Sequence, residues 1–151
     1  MKIALLIALF LAVPYTPVKK YAPGRNADKD IKDAIVEAQR TGKRILLEVG
    51  GDWCRWCHIM DDFFDRNRGL AEARDNNFIT VKINFSPQNE NEKVLSRYPK
   101  IPGYPHLIVL ENSGKLLQSQ DTSELEEKES YNLQKFTEFL IKWAPKTTAA
   151  K

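Results

Sequence analysis

Residues 51–60 read GDWCRWCHIM and hold both cysteines of the chain. Two residues separate Cys54 from Cys57, and His58 follows directly. Several chemistries use such a string. A Cys-x-x-Cys pair at a strand-to-helix corner is a dithiol switch, Cys-x-x-Cys-His is also an attachment site for c-type haem, and thiolates with an imidazole are zinc ligands. The flanks place the motif. Before it, Arg44–Val49 (RILLEV) is a nearly continuous apolar run, the pattern of a buried central strand. After it, Cys57, Met60 and Phe64 fall on one helical stripe, with Ile59 and Phe63 beside it. The motif therefore lies where a strand ends and a helix begins.

Haem attachment needs a second axial ligand, usually a histidine or methionine. Outside the Cys-x-x-Cys-His string the chain offers His106, Met60 and Met1. Met60 stands on the motif's own helix, one turn from Cys57, and cannot reach the far face of a porphyrin. His106 begins a strand. Zinc is disfavoured because Cys57 and His58 are adjacent and point apart on a helix, so no metal ligands are expected.

The dithiol reading has a direct physical basis. An ordinary cysteine has a pKa of about 8.5, so about 3% is thiolate at pH 7. The opening of a helix presents unpaired N–H groups and the positive end of its dipole. Cys54 stands there, Cys57 sits one turn inside, and Arg55 adds a positive charge. A fall in pKa to about 7 ionises about half of Cys54, a preferential stabilisation of about 2 kcal/mol. Cys54 is then the attacking nucleophile and Cys57 resolves the mixed disulfide.

Outward from the motif, the chain alternates helices and strands. Ile31, Ala34, Ile35 and Ala38 line one face of a predicted helix over 28–41, with Asp28 and Asp30 at its start and Gly42 at its end. Gly69 is the expected break in the helix that follows the motif. Phe78–Phe85 (FITVKINF) alternates as a strand does, and NEKVLSRY is a short helix candidate. A proline-rich turn enters a strand over 106–110, ENSGK turns it, and LLQSQ returns. The acidic SELEEKES reads as a solvated loop, and Tyr131–Trp143 as the last helix. The βαβ units imply parallel pairing and the final hairpin an antiparallel edge: an α/β chain with a mixed central sheet and helices on both faces.

A second segment joins the motif in a resemblance. LLEVGGDWCRWC (46–57) is similar to the active-site segment of the thioredoxin superfamily: an apolar strand, an acid six residues before the first cysteine, a tryptophan, then the pair. IPGYPHLIVL (101–110) resembles that family's strand entry, where a cis proline faces the dithiol; Pro105 takes that place, between Tyr104 and His106. The resemblance implies a thioredoxin fold and thiol-disulfide oxidoreductase activity, with no organic cofactor or metal. It makes Glu48 the buried acid that exchanges a proton with Cys57, directly or through water, with burial raising its pKa. It makes Trp53, Tyr104 and Pro105 a substrate-docking surface, leaving Arg55, Trp56 and His58 to modulate the pair. His106 either contacts substrate or is packed. The chain departs from thioredoxins themselves in carrying Arg55-Trp56 between the cysteines and glutamate at 48. WCxWCH is similar to exported thioredoxin-like proteins. An arginine that stabilises the thiolate makes such a pair more oxidising, by about 30 mV for each 1.4 kcal/mol. A redox-inactive binding or chaperone module is the alternative on the same fold.

The ends and the composition complete the expectation. Ile3–Val13 is an apolar run of eleven residues behind Lys2, too short to span a bilayer and suited to a signal-peptide core. The polar, proline-rich stretch after it reads as exposed leader or linker. The division is thus a leader over 1–22, a thioredoxin-like domain over 23–145 and a flexible tail over 146–151. Export to the periplasm follows, where reduced thiols persist only with a supply of electrons. The expected partners are protein disulfides and a membrane thiol donor, with the protein itself a monomer. At 151 residues, a net charge of +3 and interspersed signs, the chain has no basic stripe for nucleic acid.

Overall fold

The structure is a computed structural model, and it describes residues 14–146. The apolar run Ile3–Val13 and residues 147–151 lie outside the described residues. Helix α1 spans Ala27–Thr41. The Asn26 side chain accepts a hydrogen bond from the Lys29 N–H at 3.0 Å, satisfying one of the helix's free donors. Gly42, at φ 70°, ends it in the left-handed conformation that glycine adopts without strain. Strand β1 (Arg44–Gly50) is buried from Ile45 onward. Helices α2 (Arg55–Arg66) and α3 (Arg68–Asn77) follow, then β2 (Phe78–Asn84), the single turn α4 (Glu92–Leu95), β3 (His106–Leu110) and β4 (Leu116–Asp121). A two-stranded ribbon, β5 (Glu126–Glu127) with β6 (Ser130–Tyr131), leads into α5 (Leu133–Trp143).

The main sheet has the order β2-β1-β3-β4. Only β1 and β2 are parallel; β3 runs antiparallel to β1, and β4 to β3. Parallel pairing therefore extends less far than the βαβ reading implies. A parallel return needs a crossover that carries the chain back along the sheet. Between β2 and β3 the only helix is the four residues of α4, so the chain re-enters the sheet from the end at which β2 leaves it. That reversal matters for function. It brings the start of β3 beside the end of β1, with His106 in register with Val49.

The sheet separates two cores. Ala27, Ile31, Ala34 and Ala38 of α1 pack with Ile45, Leu47 and Val49 on one face. Met60, Phe63 and Phe64 of α2 and Phe136, Phe139 and Leu140 of α5 pack with Leu46, Leu107 and Val109 on the other.

The structure adds local detail to three of these segments. The break after α2 falls at Asn67, not Gly69: the Asn67 N–H reaches the Phe63 and Phe64 carbonyls, and its side chain also donates to Phe63 O at 2.8 Å. The acidic stretch keeps Ser123, Glu124, Glu127, Lys128 and Glu129 in solvent, as expected, but it is anchored at its start. Thr122–Leu125 forms a 3₁₀ turn that buries Thr122 and Leu125, and Tyr131 ends β6 with its ring buried rather than starting α5. Residues 14–22 are largely exposed, with Val18 and Tyr21 buried. Val18 bridges Val81 of β2, its carbonyl accepts from the Lys82 N–H at 3.1 Å, and Tyr21 is 5% exposed. Contact with the sheet thus starts at Val18, ahead of residue 23. The polar composition of this stretch hides Val18, placed on the edge strand, and Tyr21, placed on the cysteine pair.

Candidate active site

The motif follows β1 through a tight turn in which the Cys54 N–H donates to the Gly51 carbonyl at 3.0 Å. Cys54 is the N-cap of α2: its sulfur accepts from the Cys57 N–H at 3.1 Å, the position where an anion is favoured. The two cysteines form a disulfide with Cα atoms 5.2 Å apart. Both sulfurs are sheltered, Cys54 being 3% exposed and Cys57 fully buried. Gly50 and Gly51 are needed for this approach. A Cβ on Gly50 would stand 2.4 Å from Cys57 Sγ, and one on Gly51 would stand 2.9 Å from the Phe85 carbonyl oxygen.

Glu48 lies behind the pair, on the α2 face of β1, and is 2% exposed. Burial pushes its carboxyl above the ordinary value, against the Lys82 ammonium and the Tyr21 hydroxyl, which favour the ionised form. Lys82 is its register neighbour on β2, with Nζ 3.5 Å from Glu48 Oε1. The same ammonium bonds both oxygens of Asp61 at 2.6 Å. Asp61 is about half exposed, so a chain of charges runs from the buried acid to solvent. A cavity of about 660 Å³ opens along it, bordered by Tyr15, Glu48, Asp61, Arg74, Thr80 and Lys82.

In front of the pair the Tyr104–Pro105 peptide is cis, and Tyr104 packs against the cysteine cluster. Trp53 is 56% exposed, its indole N–H donates to the Phe85 carbonyl at 2.7 Å, and its ring meets Tyr104 edge-on with centroids 5.7 Å apart. Phe85 stacks on the other side of Tyr104 at 4.7 Å. The result is an aromatic wall beside the disulfide. Thr122 supports it from below, donating to the Pro105 carbonyl at 2.6 Å.

The remaining candidates divide. Arg55 is exposed on the first turn of α2. Trp56 faces inward, edge-on to Tyr131 at 5.5 Å, and links α2 to the β5–β6 ribbon. His58 is exposed and its Nε2–H donates to the Asp52 carbonyl at 2.7 Å, bracing the turn before the motif. His106 is packed: it is 2% exposed, Nε2 lies 2.7 Å from Ser119 Oγ, and burial lowers its pKa. Among the described residues no group of three or more His, Cys, Asp and Glu side chains could hold a metal ion. Sequence reasoning misses Tyr21, Lys82, Asp61, Phe85 and Thr122. Only Lys82 carries a signal there, as the single charge in the strand FITVKIN.

The family model described as thioredoxin-like matches residues 26–112, and the chain belongs to that family. Its fold superposes on a disulphide isomerase from Xylella fastidiosa Temecula1 with a TM-score of 0.70 and 27% identity, covering 81% of this chain and 94% of that one. The oxidised C-terminal domain of DsbD from Neisseria meningitidis has the same fold, with a TM-score of 0.59, 18% identity, and coverage of 82% and 98%. In sequence, the chain is 23% identical over 130 residues to the disulfide bond reductase DsbH of Chlamydia pneumoniae, covering 72% of this chain and 78% of that protein. It is also 29% identical over 80 residues to human spermatogenesis-associated protein 20; the match covers 53% of this chain but only 9% of that much longer protein.

Proposed function

We propose that the protein is a thiol-disulfide oxidoreductase acting on protein disulfides through Cys54 and Cys57. The observation that carries this reading is the cysteine pair at the mouth of α2, with a buried acid behind it and an aromatic, cis-proline wall before it. In the reduced protein the Cys54 thiolate attacks one sulfur of a substrate disulfide, forming a mixed disulfide and expelling the other sulfur as a thiolate. Glu48 takes the proton of Cys57. The Cys57 thiolate then attacks Cys54 Sγ, closing the Cys54–Cys57 disulfide and releasing the second substrate thiolate. Two electrons pass from the protein to its substrate, and a dithiol donor restores the pair.

The substrate chain lies along Tyr104–Pro105, with Trp53 and Phe85 flanking Tyr104. Arg55 supports the Cys54 thiolate at the helix opening. The apolar run Ile3–Val13 favours export, and the periplasm suits a dithiol fed by a membrane thiol donor. The protein acts as a monomer on this reading and needs neither metal nor organic cofactor.

Reduction of insulin disulfides by the dithiol form tests the proposal. Wild type accelerates it, Cys54→Ser abolishes it, and Cys57→Ser accumulates a mixed disulfide with insulin. A wild-type rate equal to that of Cys54→Ser overturns the reading and leaves the fold a binding module.

A further inference from the structure

The segment before α1 carries one side chain into the site. Tyr21 donates its hydroxyl to Glu48 Oε1 at 3.0 Å, in a buried bond spanning 27 residues of sequence. Its ring belongs to the small cluster formed with Cys54 and Cys57. Gly50 shows how tight this space is. The point where a Cβ would stand is 2.4 Å from Cys57 Sγ and 3.1 Å from Tyr21 Oη. The sulfur and the hydroxyl thus border one gap too small for a methyl group. The Tyr21 ring is held in turn: the Lys82 ammonium lies 4.6 Å from its centroid, and the Val18 bridge to β2 anchors the chain three residues earlier.

We propose that Tyr21 is a proton-relay residue of the dithiol, whose hydroxyl orients Glu48 and passes it the Cys57 proton. The inference rests on the oxidoreductase reading and replaces the bridging water that the sequence leaves open. In the transfer, the Cys57 thiol gives its proton to Tyr21 Oη as Tyr21 gives its own to Glu48 Oε1. Cys57 becomes a thiolate, Glu48 a carboxylic acid, and Tyr21 ends neutral as it began. Burial and the neighbouring Glu48 carboxylate hold the Tyr21 phenol well above its ordinary pKa, so it hands a proton on without remaining ionised. The titratable and charged groups around Glu48 are Tyr21 from the segment, Lys82 from β2, Asp61 and Cys57 from α2, Arg74 from α3 and Tyr131 from β6. Tyr21 is the hydrogen-bond donor among them that also packs on the cysteines.

The test uses the full chain, reduced, reacting with 5,5′-dithiobis(2-nitrobenzoate). The first thionitrobenzoate released reports attack by Cys54, and the second reports resolution by Cys57. Tyr21→Phe keeps the ring and removes the hydroxyl. Losing one hydrogen bond to a carboxylate moves its titration upward by about one pH unit. The second release should therefore slow about tenfold at pH values below its midpoint, and that midpoint should rise by about the same unit. In a Glu48→Gln background Tyr21→Phe should add nothing. An unshifted profile, or an additive loss in that background, overturns the inference.

A wild type with no first release at any pH instead removes the oxidoreductase reading. The Tyr21–Glu48 coupling is then read without catalysis, from the Glu48 carboxyl titration by carbon NMR, where Tyr21→Phe must raise the midpoint. Should Tyr21→Phe fold poorly, 3-fluorotyrosine placed at position 21 keeps the shape and strengthens the donor. It must lower that midpoint, and an unchanged one refutes the coupling.

Discussion

The two faces of the sheet are built from the same strands and do different work. The buried centre of the α1 face is aliphatic, built from alanine, valine, isoleucine and leucine, with Ala34, Ala38, Ile45, Leu47 and Ile108 fully buried and Tyr15, Phe85, Tyr98 and Tyr104 packed around it. The α2 face is aromatic, with Phe63, Phe64, Tyr131, Phe136 and Phe139 meeting at centroid distances of 5.1 to 6.3 Å. It also admits charge, since Glu48 and Lys82 point to it from adjacent strands. A close-packed aliphatic layer fixes the strands, and the strands hold a costly buried acid on the other side. The aliphatic layer and the buried acid are thereby assigned to opposite faces of one sheet.

Substitutions that respect or violate this division should separate cleanly. Cys54→Ser acts at the chemical end and should abolish turnover in the insulin assay with little change in melting temperature. Glu48→Gln should slow resolution of the mixed disulfide by about a hundredfold at neutral pH, measured by the second thionitrobenzoate release. It should also stabilise the fold, with a definite sign in pH. Burial raises the Glu48 pKa above 4.5, so between that value and the raised one the folded chain binds a proton that the unfolded chain has released. Wild-type stability falls as pH rises through that window, and the advantage of Glu48→Gln should grow over it, reaching about 1–2 kcal/mol by urea titration. An advantage that shrinks with rising pH contradicts the burial argument.

Gly50→Ala places a methyl group against Cys57 Sγ and the Tyr21 ring. It should cost about 1–3 kcal/mol of stability and lower turnover about tenfold, because the disulfide must shift to admit it. Ile108→Ala lies wholly on the aliphatic face. It should cost about 2–5 kcal/mol in urea unfolding yet leave turnover of the folded protein unchanged. A loss of turnover there, below the unfolding transition, would mean that the faces are coupled more tightly than this division allows.

What could be read from the sequence follows the same physics. The stripe of Ile31, Ala34 and Ala38, the run RILLEV and the alternation in FITVKINF are local signals, because each element buries one face with its own period. The motif was readable because two cysteines, a preceding strand and a following helix occupy one continuous stretch. The acid at Glu48 and the turn at Tyr104-Pro105 came from the resemblance. The direction of β3 was not readable, because it depends on where the chain travels between residues 85 and 105. Thr122 was hidden in an acidic run, and Tyr21 in a stretch whose prolines and lysines dominate its composition. Both act through partners distant in the chain, Pro105 and Glu48.

The bridge from Val18 to Val81 lies on the outer margin of β2, the strand that ends the sheet. An end strand offers a row of free amides and carbonyls on which another molecule's strand can template itself. A chain trimmed to begin at residue 23 would strip that cover away. It should therefore self-associate on concentration, and its light scattering, rather than its far-ultraviolet circular dichroism, would register the damage first.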